Sequence, residues 1–246
     1  MTASGFWRPY RGMSGRGIFL DIGAHWGETL EEVLSPVWRF DAVYAFEPDP
    51  EAVRVIEGKF AAELASGRLI LIPAALSNRD GEAELFGGNE GGGASLYAEK
   101  TNIDAAKRET VKLIASSAFF RERFGEDDVI LAKLNCEGGE VDILTDLSAS
   151  GEIQKIARLV VDFDIRKVRG KRALARATIE AMRAAGFDRF HLTEDVMIGA
   201  DARQRTRNAI AHMPEALAYC AEPAALPDPP RRPKWTRRVK TFFRYL

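Results

Sequence analysis

Gly17-Ile-Phe-Leu-Asp21-Ile-Gly23-Ala24-His25-Trp26-Gly27-Glu28-Thr29 decides the fold of this 246-residue chain. An apolar run ends in an acid, a glycine turn follows, and a helix starts. A strand buried on both faces reads as a continuous apolar run, and Gly17 to Leu20 fits one. Gly23 lets the backbone turn at positive φ or lets a ligand approach where a Cβ would clash. Gly27 stands where a helix begins, and a new helix end offers free N–H groups. Asp21, at the carboxyl end of the strand, is expected to face the crevice where open α/β sheets bind ligands. An ordinary strand-to-helix turn is the plainer alternative.

Twenty residues after Gly27, Val43-Tyr-Ala-Phe46-Glu47-Pro48 repeats the pattern of an apolar run ending in an acid. Glu47 is placed to accept hydrogen bonds from both hydroxyls of a ribose, and it would repel a 2′-phosphate. The glycine spacing is GxxxG, not the GxGxxG that lets a pyrophosphate approach the backbone. Ala24, His25 and Trp26 fill that turn with side chains. An adenosine without a pyrophosphate points to S-adenosylmethionine, and the spacing disfavours a nicotinamide-dependent oxidoreductase.

Working outward, strands are expected at 17–21, 41–46, 68–72, 129–134 and 157–161. Short strands at 82–86 and 108–114 flank a glycine-rich loop, 87–93. Two final strands are read at 187–193 and 206–213. Helices are expected near 27–37, 50–63, 139–147 and 171–185, the last stopped by Gly186. Strands alternating with helices specify a parallel sheet with helices on both faces. The composition, 46% hydrophobic and 29% charged with a net charge of −1, is that of an ordinary α/β protein. No apolar run approaches the ~18 residues of a membrane span, and the N-terminus lacks the apolar core of a secretory signal. Cys136 and Cys220 suggest no disulfide framework, so a reducing cytoplasm is the expected setting. Scattered His and Cys residues give no metal cluster.

At the fourth long strand the chain becomes recognisable. Leu131-Ala-Lys133-Leu134-Asn135-Cys136-Glu137-Gly138-Gly139-Glu140 resembles the "lKiDvEGaE" signature of FkbM-type methyltransferases. Gly17 to Gly27, Phe46-Glu47-Pro48, Ala74 to Gly81 and Gly93-Ala94-Ser95-Leu96 are similar to four further motifs of that family, in the same order. The resemblance implies a Rossmann-like, doubly wound, mostly parallel seven-stranded sheet with an antiparallel last strand. It implies an S-adenosylmethionine-dependent methyltransferase acting on a hydroxyl of a saccharide or secondary metabolite. Carried over residue by residue, Asp21, Gly23 and Gly27 lie against the methionine part of the cofactor, with Ala24 among the binding residues, and His25 hydrogen-bonds the cofactor carboxylate or simply caps the turn. Glu47 holds the ribose, Ala75 and Leu76 lie beside the adenine, and Asn135 holds the ammonium group. Asn135 stands where the family carries aspartate, Cys136 where it carries a small apolar residue, and His25 where it prefers asparagine. A hydroxyl acceptor benefits from a general base. Glu137 and Asp162 are the catalytic candidates, with Asp164 a third; all three are equally open to pairing with Arg166 and Lys167. A catalytically weak interaction module in a glycan-assembly complex is the alternative.

This organisation divides the chain into an N-terminal extension, 1–16, a methyltransferase domain, 17–215, and a C-terminal segment, 216–246. Residues 221–233 hold five of the eleven prolines and read as a spacer. Residues 231–246 carry seven basic residues and no acid. Trp235, Val239, Phe242, Phe243 and Leu246 recur at helical spacing along one face. Such a helix suits an anionic membrane surface, at the inner face of the cytoplasmic membrane, or docking on protein. Nucleic acid is not expected, because the aromatics do not interleave with the charges.

Overall fold

The computed structural model describes residues 15–88 and 93–221, with 223 and 226. The quoted stretch forms β1 (Gly17–Ile22), every residue of which is buried, and α1 (Glu28–Val33). The chain continues through β2 (Ala42–Phe46), α2 (Pro50–Lys59), α3 (Ala61–Ala65), β3 (Leu69–Ile72), β4 (Ala75–Ser77), β5 (Gly81–Gly88), β6 (Ile103–Ala115) and α4 (Ser116–Arg123). It then runs through β7 (Val129–Leu134), α5 (Glu140–Ser150), β8 (Ile156–Val161), α6 (Arg172–Ala184), β9 (Phe190–Leu192), α7 (Thr193–Val196) and α8 (Ala202–Ala211).

Six strands form a sheet in the order β3-β2-β1-β7-β8-β9, and every pairing in it is parallel. The period of two within the apolar runs sorts their residues between two cores. Ile18, Leu20, Ile22, Phe46 and Leu134 pack with Phe120 of α4, Leu147 of α5 and Met182 of α6. Phe19, Val43, Ala45 and Leu131 face the other way, onto Leu30 and Val33 of α1, Ile56 of α2 and Ile210 of α8. Burying both faces explains why the strands carry no polar alternation.

The expected strand at 206–213 is instead helix α8. Asp201 caps it by accepting from Gln204 N–H at 2.8 Å, and its buried residues Thr206, Ala209 and Ile210 fit a 3.6-residue period, which a short mixed run cannot distinguish from alternation. The antiparallel seventh strand is therefore absent among the described residues, and the sheet ends on β9, parallel to β8. β4, β6 and β5 form a separate three-stranded sheet above the carboxyl ends of the main strands.

The strand order reverses direction at β1, with β2 and β3 to one side and β7, β8 and β9 to the other. The crevice at such a switch point, above the carboxyl ends of β1 and β7, is where open α/β sheets place ligands.

Candidate active site

A cleft of about 1190 Å³ opens at that switch point. Eight of the residues singled out from the sequence line it: Gly23, His25, Glu47, Ala75, Leu76, Asn135, Glu137 and Asp162. Four do not. Asp21 is fully buried, Ala24 and Asp164 are each 1% exposed, and a Cβ on Gly27 would meet the Phe60 ring at 2.6 Å.

The parallel register explains Asp21. It stands opposite Lys133 of β7, and the Lys133 Nζ donates to Asp21 Oδ1 at 2.9 Å and to the Gly23 carbonyl at 2.8 Å. Asp21 thus lies beneath the glycine turn and fixes it through the half-buried Lys133, instead of facing the crevice. Burial pushes its carboxyl up from the ordinary value, opposed by Lys133. Lys133 falls within the fourth-strand motif, which by itself assigns it no role. Its position within an otherwise apolar strand was the available signal.

The turn itself is stitched to its neighbours by backbone. Gly23 and Ala24 N–H both donate to the Phe46 carbonyl at 3.0 Å, and Asn135 N–H donates to the Ile22 carbonyl at 2.9 Å. Gly23 sits at φ 84°, and a Cβ there would fall 1.9 Å from the Asn135 carbonyl oxygen. A glycine is required by both the conformation and the close approach. Glu47 closes the other side. Its Oε2 accepts from His25 N–H at 2.6 Å and its Oε1 from Asp49 N–H at 2.9 Å. Burial pushes the Glu47 carboxyl up while these two donors favour its charged form. Each carboxylate oxygen retains a lone pair for a further donor. His25, at φ 50°, holds Glu28 at 3.1 Å, and that partner raises its pKa.

Across the cleft, the turn from β7 to α5 presents Asn135, Cys136 and Glu137. The Asn135 Oδ1 is buried and has no protein partner. Burial pushes the Cys136 thiol well above its ordinary pKa, which suits a packing side chain and not a nucleophile. Glu140, buried at the start of α5, accepts from Ile165 N–H at 2.6 Å and Gly138 N–H at 2.8 Å, tying this turn to the one after β8. Burial pushes Glu140 up to about 7.

Glu137 has a left-handed backbone at φ 57°. Its carboxyl is pushed up to about 7, chiefly by burial and by the neighbouring Asp164 carboxyl, while Lys100 opposes the shift. Asp162 is raised by burial and pairs with Arg166 at 3.4 Å, and Asp164 pairs with Lys167 at 2.6 Å. Asp164 is 1% exposed and lies outside the cleft wall. The sequence did not single out Lys100, Arg205 or Thr206. The latter two reach the cleft because their segment is a helix and not the strand expected there.

The family model of the methyltransferase FkbM domain matches residues 21–189, more than half of the chain and the whole of this site except the α7–α8 wall. The chain belongs to the FkbM methyltransferase family. No curated protein matches it. Among solved structures, a methyltransferase FkbM from Methylobacillus flagellatus KT is similar, with 13% sequence identity and a TM-score of 0.44 over 69% of this chain and 37% of that one. The present chain therefore matches well under half of that relative's length.

S-adenosylmethionine offers one ribose hydroxyl pair, an adenine face, a carboxylate and an ammonium group. The FkbM cleft has a fixed carboxylate in Glu47, apolar surface at Ala75 and Leu76, and an unpartnered buried acceptor in Asn135. A buried acceptor without a partner costs free energy unless a ligand donates to it. The donor set fits that cofactor.

Proposed function

We propose that this FkbM family methyltransferase uses S-adenosylmethionine to methylate a hydroxyl oxygen on a saccharide or secondary metabolite. The buried, unpartnered Asn135 Oδ1, in the same cleft as Glu47, carries the reading. In it, Glu47 accepts from the ribose hydroxyls and Asn135 from the ammonium group. Ala75 and Leu76 cover the adenine, and the Gly23–His25 turn receives the methionine part. Asp21 and Lys133 keep that turn rigid from below.

The cofactor supplies an electrophilic methyl group on a sulfonium, transferred by in-line displacement. Much of the rate of such a step comes from holding the reactants in line. Glu137 is the proton acceptor for the hydroxyl. A base poised near neutrality combines a useful carboxylate fraction with a useful driving force, and burial gives Glu137 that position. Asp162, fixed by Arg166, orients the acceptor as a hydrogen-bond partner. Asn135 contributes no charge where an aspartate would, so it holds the ammonium group by its dipole alone.

Titration calorimetry tests the reading most directly. Binding of S-adenosylmethionine and S-adenosylhomocysteine, with none of NAD, is expected. No binding of either adenosyl ligand would remove the enzyme reading and leave a methyltransferase-fold interaction module.

A further inference from the structure

Glu137 is held by a segment that the reaction scheme above leaves unused. Residues 93–101, which enter from β5, cross the turn between β7 and α5. Ser95 pairs with Phe86 of β5 through two backbone hydrogen bonds of 2.8 and 2.9 Å. Its hydroxyl then donates to the Glu137 carbonyl at 2.6 Å. Gly93 lies against the Glu137 carboxylate, where a Cβ would come within 2.7 Å of Oε1. At the far end, Lys100 makes an antiparallel bridge with Val168, and Thr101 N–H donates to the Lys167 carbonyl at 3.1 Å. Between these anchors the Lys100 side chain, only 4% exposed, reaches Glu137 Oε2 at 2.5 Å.

Glu137 therefore lies between one cation and one anion, delivered by different elements. Lys100 comes from the 93–101 segment, and Asp164, carrying Lys167 on its other side, comes from the turn after β8. Glu140 and Cys136 flank it on its own turn, and Asp162 lies beyond Asp164. A lysine ammonium with so little exposure is kept where it is by its partner. An acid beside another acid shares a proton with it, and the two titrate as a unit.

We propose that Lys100 and Asp164 are positioning residues with opposing action on Glu137. Lys100 holds the carboxylate charged and aimed into the cleft, and Asp164 holds the proton on Glu137 once it has been taken from the acceptor hydroxyl. The role in turnover rests on the methyltransfer reading; the opposition between the two residues does not. The proton passes from the acceptor oxygen to a Glu137 carboxylate oxygen as the new O–CH3 bond forms and the donor's S–CH3 bond breaks, its electron pair staying on sulfur as a neutral thioether, and the proton leaves to solvent after product release.

The opposition gives a test with two signs. The carboxyl carbons of the full chain, labelled with 13C-glutamate and assigned through Glu137→Gln, report the apparent midpoint at which the Glu137 carboxyl titrates within the pair. Lys100→Met is expected to raise that midpoint by about one pH unit or more, in line with loss of a close opposite charge. Lys100→Arg restores it, and Asp164→Asn moves it down by a similar amount. The rising limb of the methyltransfer pH profile moves with the midpoint in each variant. An unchanged midpoint in Lys100→Met, or shifts of one sign in both variants, would overturn the proposal. If Lys100→Met does not fold, Asp164→Asn and Lys100→Arg decide it: no downward shift in the first, or loss of the wild-type midpoint in the second, is fatal. The full pattern of shifts in a protein that binds no S-adenosylmethionine would sink the proposed function while leaving the opposition between Lys100 and Asp164 standing.

Discussion

Single atoms govern the Glu47 side of this cleft. Glu47 was read from the sequence as a ribose acid, and its two oxygens also hold the backbone N–H groups of His25 and Asp49. Removing the whole side chain would free the turn as well as the ligand. Glu47→Gln is the smaller change: one terminal atom can no longer accept, so one of the two backbone hydrogen bonds is lost with it and the other is kept. It should weaken S-adenosylmethionine roughly 10–100-fold, measured by calorimetry, with the fold judged intact by circular dichroism. Unaltered affinity would show that the ribose does not sit on Glu47. Gly23→Ala is a harsher test of the same turn. Its Cβ would collide with a backbone carbonyl at a positive φ, so the turn or β7 must move. A loss of about 2 kcal/mol or more in urea unfolding is expected, together with loss of cofactor binding.

Glu137 supplies a prediction in pH. Its folded-state pKa, about 7, lies above the ordinary value of 4.5, so the folded chain binds the extra proton between these values. The stability gained from that proton is full below about pH 4.5 and is lost as the pH rises through 7. Glu137→Gln cannot lose a proton. Its melting temperature should therefore gain on the wild type by a few degrees between pH 5 and 8, seen by calorimetric scanning without ligand. Parallel pH curves for the two proteins would contradict the burial of a titrating Glu137.

At the level of elements, α8 is the largest departure from the sequence reading. It is locked to α1 by Glu32, which is fully buried. Arg207 donates to Glu32 at 2.7 and 2.9 Å, and Trp38 Nε1 donates to it at 2.9 Å. Arg203 approaches at 3.6 Å. This cluster carries Arg205 and Thr206 to the cleft wall. Breaking a buried ion pair from one side costs about 3–5 kcal/mol, because a charge is left uncompensated; here the arginines are partly exposed and can rehydrate. Glu32→Ala should thus cost about 2–3 kcal/mol in urea unfolding, with an unchanged denaturant slope. A cost below ~0.5 kcal/mol would mean that α8 is held by its apolar contacts alone.

On the scale of the whole molecule, no helix among the described residues is long and apolar enough to cross a membrane. Residues 231–246, read as a basic amphipathic segment, lie outside the described residues. Co-sedimentation with anionic vesicles compares the full chain with residues 1–222. Recovery that requires the tail supports a membrane surface, and equal recovery by both ends that idea and leaves docking on protein.

The sequence by itself determined the nucleotide-type sheet, the order of its motifs and where most of its candidate site residues fall. Those depend on local matters: continuous apolar runs that need two covers, glycines where φ is positive, and acids at strand ends. Eight of the twelve residues singled out line the cleft for that reason. Tertiary structure decided what lay beyond local pattern. The register between β1 and β7 paired Asp21 with Lys133 and turned an expected ligand contact into a support. A buried carboxylate drew Arg203 and Arg207 onto α1 from more than 170 positions away and fixed as a helix a segment whose short apolar pattern also fits a strand. Lys100 and Asp164, distant in sequence from Glu137, meet it only because two loops converge above β7 and β8. A carboxyl's proton affinity depends on the charges and burial around it in space, and no spacing along the chain encodes that.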